Sequence, residues 1–345
     1  MRCIRQKTAT LKDKRQKTIL ETKYYIAGPC AAESREQVRR IAQAILPTIF
    51  RAGIWKPRTS PTTFQGIGQK GLSWLKEIED DFGLPCMTEV ATPEQLRLAL
   101  EAGLTRFWIG ARTSADPQAV QAIANAIDER VRLVAIKNPV NEDLDLWLGN
   151  IERIETKGEH LQVIAVHRGC DHRPCWGMAY KLHQLRPDIP LLLDPSHLSG
   201  KAEDVPALMT TAEALGLDGT MVEVHDRPQE ALSDGRQQVL PEQWAKHIRR
   251  TDVACTKAED RELMWLRLQI DEIDKRLWES LSQRMEIVRS IGAVKKAYHL
   301  DAYQPERYHQ LLQQRLLWAQ EKGLPTEVVQ PILEAIHEAA IKLQR

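Results

Sequence analysis

Short apolar runs recur along the first two thirds of the chain, with amphipathic segments between them. The apolar runs occupy residues 24–29, 52–57, 84–90, 106–111, 132–139, 161–169, 190–197 and 219–225. The segments between them carry apolar residues at helical spacing, and several begin after Ser, Thr or Asp and end at Gly, as helix caps require. We therefore predict strands at the runs and helices between them, including a helical segment over 34–53.

Eight such alternations between residues 24 and 245 predict a closed (β/α)₈ barrel. Continuous apolar strands must be covered on both faces, and a ring of helices around a closed sheet provides that cover. An open, doubly wound sheet is the alternative. The chain length of 345 residues leaves room for a second domain after the barrel.

Polar side chains concentrate at the carboxyl ends of the predicted strands. They are Cys30, Lys56, Arg58, Glu89, Arg112, Lys137, His167, Arg168, Asp194, His197, Glu223 and His225. Any one of them fits a solvated loop position. Their recurrence on all eight strands instead predicts a common site, because this end of a barrel carries the active site.

Two chemistries can be separated within this group. Cys30, His197 and Glu223, together with Asp234 in the following loop, offer a thiolate, an imidazole and two carboxylates. This donor set suits Mn²⁺, Fe²⁺, Co²⁺ or Zn²⁺ better than Ca²⁺ or Mg²⁺. We expect a divalent transition metal there.

The second chemistry is a concentration of positive charge. The cations are Lys56, Arg58, Arg112, Lys137 and Arg168. Half-buried cations need anions nearby, so we expect substrates that carry phosphate or carboxylate groups. The alternative, in which Lys137 is the Schiff-base lysine of an aldolase, leaves the other cations and the metal-type donors unexplained.

The pattern changes after Trp244. Residues 246–261 are charged and lack periodicity, which predicts a linker, and from Glu262 apolar residues recur every three or four positions over about 35 residues. Two further helices are predicted at roughly 304–322 and 326–344. So long a helix cannot be covered by the remaining residues of one chain, so we expect a partner helix from a second subunit.

Three basic residues lie beside the stripe of the long helix. Arg284 and Lys295 are eleven positions apart and return to the same face within about 20°, whereas Arg267 is turned by roughly 100° from Arg284. Arg284 and Lys295 can thus share a pocket that Arg267 reaches only from a neighbouring subunit. The alternative is that all three are solvated cations beside the core.

Composition excludes several classes of function. Lys and Arg number 48 against 47 acidic residues, a net charge of +1, so nothing global indicates nucleic acid or a membrane surface as a partner. Residues 1–23 form a basic extension without an apolar leader, and we expect a cytoplasmic protein. The six cysteines are typical of free thiols or a metal ligand, and Cys170 and Cys175 are either a reversible disulfide pair or two incidental thiols.

The motifs of the barrel region resemble a known family. The stretches GPCAAES, KPRTSPTTFQG, IGARTS, AIKNP, DPSH and VEVHDRP…LSDGRQ, in order between residues 24 and 245, are similar to those of the 3-deoxy-D-arabino-heptulosonate 7-phosphate (DAHP) synthases, in the subgroup that lacks long inserted loops. The resemblance implies a (β/α)₈ barrel that condenses phosphoenolpyruvate with erythrose 4-phosphate, the first step towards aromatic amino acids.

The resemblance also implies roles for single residues. It assigns Cys30, His197, Glu223 and Asp234 to a divalent metal, with Mn²⁺ preferred. It assigns Lys56, Arg112, Lys137 and Arg168 to phosphoenolpyruvate with Glu89 nearby, and Pro57, Arg58 and Thr59 to erythrose 4-phosphate. We expect Lys56 to transfer a proton near the reacting carbon. The sister family that makes the eight-carbon 3-deoxy-octulosonate phosphate typically has Ala-Asn before the arginine, so Pro57 favours the four-carbon sugar.

The region from 262 to 345 resembles the all-helical chorismate mutases. The stretches LRLQIDEIDKRL, RMEIVRSIGAVKK, ERYHQLL and AIHEAAIKLQ carry the similarity. The resemblance implies rearrangement of chorismate to prephenate and assigns substrate binding to Arg267, Arg284, Lys295, Arg307 and Gln344, with Arg284 and Lys295 as the catalytic cations.

Three positions depart from that pattern. Gln304 stands where the family has an acid, Tyr308 where it has a carboxylate, and Ala340 where it has a serine. The helical domain is therefore either a working mutase of reduced activity or mainly a dimerising module that binds prephenate or chorismate. Under either hypothesis we expect feedback on the barrel.

Overall fold

A computed structural model describes residues 23–56, 62–171, 173–248 and 257–344. The chain forms two compact units that divide after Gln269. The predicted basic extension, apart from its last residue Lys23, lies outside the described residues. None of the helices in the described ranges combines the length and apolarity that a membrane span requires.

The first unit contains a closed barrel of eight parallel strands that neighbour one another in sequence order. The strands are β1 Tyr24–Gly28, β2 Ile49–Arg51, β3 Cys86–Glu89, β4 Arg106–Ile109, β5 Leu133–Lys137, β6 Gln162–His167, β7 Leu191–Leu193 and β8 Gly219–Glu223. The last strand pairs with the first, with Ile26 opposite Met221. The predicted (β/α)₈ barrel is thus confirmed, and the open sheet is excluded.

The second strand lies earlier than the sequence pattern predicted. The predicted strand at 52–57 and the predicted helix over 34–53 were both wrong at this point, because the helix ends at Ile45 and the strand covers Ile49–Arg51. Leu46 adopts a left-handed conformation there, and Pro47 follows it. Arg51 resembled the charged end of a surface helix, yet its side chain is buried inside the barrel.

Helices cover the outside of the barrel between the strands. They are α1 Arg35–Ile45, α2 Lys70–Phe82, α3 Pro93–Glu101, α4 Ala111–Ser114, α5 Pro117–Ala126, α6 Leu144–Glu155, α7 Trp176–Leu185, α8 Pro195–Ser199, α9 Val205–Ala214 and α10 Pro241–Ile248. Several of these helices begin at a capping residue. Ser34 and Thr92, for example, accept hydrogen bonds from backbone N–H groups in the first turn of α1 and α3.

The twofold alternation of the strands divides each of them between an outer and an inner face. Leu133 and Ala135 of β5 pack in the barrel interior, whereas Val134 and Ile136 pack beneath the helices. The same alternation sets Lys137 on the inner face at the carboxyl end of β5. Apolar side chains thus fill the lower barrel, and polar side chains occupy its upper end.

The predicted linker is partly helical. Helix α10 extends to Ile248, and the next helix, α11, runs over Ala258–Ala297. Its first turns belong to the barrel unit. Trp265 is buried against Trp176 and Tyr180 of α7, with ring centroids 5.8 and 5.9 Å apart.

The second unit consists of the rest of α11 with α12 Pro305–Glu321 and α13 Thr326–Gln344. All three helices agree with the sequence prediction. The apolar stripe of α11 is exposed over much of its length, with Ile273 and Leu277 each 59% accessible. Helix α12 packs against α13.

Candidate active site

A cavity of about 260 Å³ opens at the carboxyl end of the strands. Among its lining residues are seven of the sequence-predicted site residues: Lys56, Glu89, Arg112, Lys137, Arg168, His197 and Asp234. These side chains lie at one rim because each belongs to the carboxyl end of a strand or to the segment that follows it. The structure therefore brings the predicted anion-binding cations and part of the predicted metal set to one place.

Three potential metal donors meet at one side of this cavity, and His197 contacts one of them. One donor atom each from Cys30, Glu223 and Asp234 lies within 4.8 Å of the others. The Cys30 Sγ atom is 2.9 Å from Asp234 Oδ2, and His197 Nε2 is 3.8 Å from Glu223 Oε1. Sulfur, imidazole nitrogen and carboxylate oxygen so close together fit a divalent transition ion.

The carboxylate of Glu223 is held from two sides by side chains that the sequence did not single out. Arg51 Nη2 lies 3.1 Å from Glu223 Oε1, and Gln237 donates to Glu223 Oε2 at 2.7 Å. Arg51 is only 1% exposed, and its guanidinium lies over the ring of Trp108 at 4.7 Å. The pKa of Glu223 is lowered, because His197 and Arg51 together outweigh the burial that would raise it.

Asp194 links the donor cluster to the cations of the cavity through His197 and Lys137. Its carboxylate accepts a hydrogen bond from Lys137 Nζ at 2.6 Å and contacts His197 Nδ1 at 3.1 Å. Burial alone would raise the pKa of Asp194, but His197 and Lys137 outweigh it and hold that pKa well below its usual range. A carboxylate on Nδ1 orients the imidazole so that Nε2 faces the donor cluster.

Lys56 lies directly beside Cys30. Its ammonium donates to Cys30 Sγ at 2.9 Å and to the Cys30 carbonyl at 3.1 Å. Burial and the Glu223 carboxylate raise the pKa of the Cys30 thiol to about 12. Burial lowers the pKa of Lys56, but the charges of Cys30 and Glu89 exceed that effect and the net shift is upward. Lys56 is therefore a cation at neutral pH.

Pro57, Arg58 and Thr59, predicted to bind the sugar phosphate, lie outside the described residues. His167 is on the outer face of β6, between the rings of Trp147 and Trp176.

Two further features of the barrel stand apart from the cavity. His225 is buried beside Glu33, with 3.7 Å between His225 Nε2 and Glu33 Oε2. Cys170 and Cys175 are buried and not joined in a disulfide, and Cys175 Sγ donates to the Cys170 carbonyl.

In the helical unit the structure brings together only part of the predicted set. Arg284 is partly buried, and its Nη1 atom has no hydrogen-bond partner in the described part of the chain. Lys295 donates to the Ala302 carbonyl at 2.7 Å. The backbone of Gln344 packs on Gly292, on α11 between Arg284 and Lys295. Arg307 is exposed, and Arg267 lies in the barrel unit.

The chain belongs to the DAHP synthetase I family, whose family model matches residues 20–257. Residues 266–345 match the model of chorismate mutase type II. The two family models thus match successive parts of the chain, the barrel region first and the helical region after it. The expectations for the family and for the order of its two domains are confirmed.

Similar proteins include DAHP synthases and a 2-dehydro-3-deoxyphosphooctonate aldolase. A phospho-2-dehydro-3-deoxyheptonate aldolase of Thermotoga maritima is 33% identical over 222 residues, which cover 61% of this chain and 64% of that protein. The crystal structure of a Thermotoga maritima DAHP synthase superposes with a TM-score of 0.58 at 30% identity, covering 66% of this chain and 67% of that one. A 2-dehydro-3-deoxyphosphooctonate aldolase of Helicobacter pylori is 27% identical over 63% of this chain and 90% of its own length.

The position of His167 generates a prediction for stability. Burial lowers its pKa to about 4 from an ordinary value of 6.5. Between these values the unfolded chain binds the proton and the folded chain does not, so stability falls as the pH falls from 6.5 towards 4. This single group should cost about 2 kcal/mol between pH 7 and pH 5.

Urea unfolding at the two pH values measures this effect. We expect His167→Phe to be less stable than wild type at pH 7, because the Pro174 carbonyl loses its hydrogen bond, but to lose less stability on acidification. His160→Phe, at an exposed position of the same unit, is the matched control and should keep the wild-type pH dependence. Equal pH dependence in wild type and His167→Phe would contradict the assignment.

Proposed function

We propose that the barrel condenses phosphoenolpyruvate with erythrose 4-phosphate to give DAHP and inorganic phosphate. The observation that carries the proposal is the convergence of Lys56, Arg112, Lys137 and Arg168 on one cavity that borders the Cys30 donor cluster. Four cations exceed what one phosphate needs and match a small substrate with both a phosphate and a carboxylate. Family membership supplies the reaction class.

Each cation of the cavity has a role in the proposed reaction. Arg112, Lys137 and Arg168 bind the phosphate and carboxylate of phosphoenolpyruvate, and Asp194 keeps the Lys137 ammonium aimed at the cavity. Lys56 lies between the cavity and the donor cluster, where it can donate a proton to an oxygen that gains negative charge. Glu89 lies in the same cavity, where its negative charge offsets part of the cationic field.

Cys30, His197, Glu223 and Asp234 would hold the divalent metal, of which Mn²⁺ is the preferred candidate and Fe²⁺, Co²⁺ and Zn²⁺ are alternatives. A metal bound there supplies Lewis-acid polarisation of the sugar aldehyde. The chain's own part is to hold the enol carbon of phosphoenolpyruvate close to that aldehyde.

The bond changes then follow. C3 of phosphoenolpyruvate forms a carbon–carbon bond with the aldehyde carbon, and the aldehyde oxygen takes up a proton that Lys56 is placed to give. Water adds its oxygen to the electron-poor C2 and returns one proton to the Lys56 amine. The hemiketal hydroxyl then becomes the C2 ketone as the C–O bond to phosphate breaks, and its proton leaves with the inorganic phosphate. Pro57, Arg58 and Thr59 would bind the sugar phosphate, and Pro57 favours the four-carbon sugar.

Metal removal and sugar choice test the barrel proposal together. We expect phosphoenolpyruvate consumption to stop in the metal-stripped protein and to return when Mn²⁺ is added with erythrose 4-phosphate, but not with arabinose 5-phosphate. Cys30→Ser should lower metal affinity by about 10-fold or more, whereas Cys86→Ser, a buried thiol remote from the cavity, should not. Turnover with the five-carbon sugar would favour the octulosonate alternative, and metal-independent turnover would refute the Lewis-acid step.

We further propose that residues 262–345 rearrange chorismate to prephenate and that their ligand regulates the barrel. This pericyclic reaction needs no acid, base or metal, only the correct conformer and cations near the breaking ether bond. Arg284 and Lys295 supply these cations, with Arg307, Gln344 and Arg267 as further binding groups. A helical domain that only dimerises and binds an effector is the alternative.

Chorismate turnover, measured in wild type and in one variant, distinguishes these alternatives. Arg284→Ala should reduce chorismate turnover by about 100-fold or more and should also abolish inhibition of phosphoenolpyruvate consumption by prephenate. Arg289→Ala, an exposed arginine of the same helix, is the control for both measurements. Wild-type protein that binds chorismate without converting it would support the effector-binding alternative.

We propose that the protein is a homodimer through α11. The exposed apolar stripe that includes Ile273 and Leu277 supports a partner helix, and a partner could also deliver its Arg267 to the pocket around Arg284. The proposed domains are the barrel at 24–245, the linker at 246–261 and the helical domain at 262–345. We also propose that the protein is cytoplasmic and has no nucleic-acid or membrane partner.

Sedimentation equilibrium tests the dimer. We expect twice the chain mass of 39.4 kDa for wild type. Leu277→Asp should shift the equilibrium to the monomer, because a buried charge without a partner opposes association, and should lower chorismate turnover at the same time. Lys275→Asp, on the opposite side of the helix, should leave the mass unchanged. A monomeric wild-type protein would refute the shared pocket.

A further inference from the structure

A histidine in the helical unit lies beside the predicted mutase cations but belongs to none of the assigned roles. His337 of α13 has a buried Nε2 atom with no hydrogen-bond partner in the described part of the helical unit. Its ring stacks on the ring of Tyr308 from α12, with centroids 4.0 Å apart and planes 24° apart. Tyr303 approaches the same ring at 6.0 Å. Two aromatic neighbours thus determine the orientation of the imidazole.

The surroundings of His337 are strongly cationic. Burial is the largest cause of its lowered pKa, followed by the charges of Arg284, Arg315 and Lys295. Burial and Arg315 also lower the pKa of Arg284, whose Nη1 atom is buried without a partner among the described residues. A cluster of cations with unpartnered buried atoms favours an anionic ligand. His337 is neutral among them, so one of its ring nitrogens is a hydrogen-bond acceptor.

The expected ligand needs such an acceptor. Chorismate carries two carboxylates and one ring hydroxyl, and arginine and lysine can only donate hydrogen bonds. Gln304, Tyr308 and Ala340 have replaced the two acids and the serine that the family resemblance leads one to expect. Without a carboxylate at positions 304 and 308, the ring hydroxyl needs a neutral acceptor, such as an imidazole nitrogen or an amide or hydroxyl oxygen.

We propose that His337 binds the ring hydroxyl of chorismate, with Nε2 accepting the hydrogen bond and the Tyr308 ring holding the imidazole in place. The inference rests on the proposed mutase function. It assigns to α13 a substrate-binding residue that determines specificity for the hydroxylated ring. Gln344 Oε1 is the competing acceptor, because it is also buried without a partner in the described part of the unit.

Paired substrates test the assignment. Mutase kcat/KM is measured with chorismate and with the analogue in which hydrogen replaces the ring hydroxyl. His337→Phe keeps an aromatic ring against Tyr308 but removes the acceptor, and should lower kcat/KM for chorismate by about 10- to 100-fold. With the deoxy analogue, wild type and His337→Phe should agree within about threefold. His337→Gln, which restores an acceptor oxygen, should recover most of the loss.

Two controls separate binding from folding. His309→Phe, at an exposed position beside Tyr308 on α12, should match wild type with both substrates. Far-ultraviolet circular dichroism checks that every variant retains its helices.

The possible results lead to different conclusions. An equal loss with both substrates in His337→Phe would overturn the assignment, since only a structural role would remain. A loss confined to the hydroxylated substrate in Gln344→Leu, and absent in His337→Phe, would transfer the role to Gln344. Wild-type protein that turns over neither substrate would refute the proposed mutase function itself, which is distinct from failure at His337 alone.

Discussion

The buried ion pair between Arg51 and Glu223 is the interaction on which the barrel site depends. Both side chains are almost inaccessible to water, and an uncompensated charge at either position would cost several kcal/mol. The pair therefore sets the position of the Glu223 carboxylate before any ligand arrives. Because Arg51 contacts Glu223 with one nitrogen and lies over the Trp108 ring, the wall of the cavity and the donor cluster share one support. Removal of the guanidinium would disturb both together.

A second carboxylate, that of Asp194, couples the two groups of side chains in the site. Asp194 contacts Lys137, which lines the cavity, and His197, which contacts Glu223 of the donor cluster. Lys137 and His197 each stabilise the ionised form of Asp194. A change in the charge of one therefore alters the electrostatic environment of the other through the buried Asp194 carboxylate. The two chemistries that the sequence separates into a metal set and a cation set are therefore one electrostatic unit in the folded protein.

Much of the barrel and of its cavity could be predicted from the sequence, for a physical reason. Parallel strands that are buried on both faces leave continuous apolar runs, and polar residues just after each run must lie at one end of the barrel, so Lys56, Arg112 and Lys137 could be placed together. The second strand was misplaced because Arg51 interrupts its apolar run, and the Glu223 that neutralises it lies 172 residues away. The sequence placed Asp194 at the end of its strand but did not predict its contact with Lys137, and it gave His337 no role, because these contacts come from other elements. Residues 57–59 remain predictions from the motif alone.

The first turns of α11 affect where the chain could be cut to separate its two domains. Trp265 lies beyond the predicted end of the linker, yet it is buried on α7 of the barrel, and Tyr180 of α7 donates a hydrogen bond to Glu262. Helix α7 follows the loop that carries Arg168. A barrel produced on its own and ended at residue 245 would expose Trp176 and Tyr180 next to that loop, whereas one ended after Gln269 would keep them covered. The natural place to divide this chain is thus inside a continuous helix, rather than at the charged segment that precedes it.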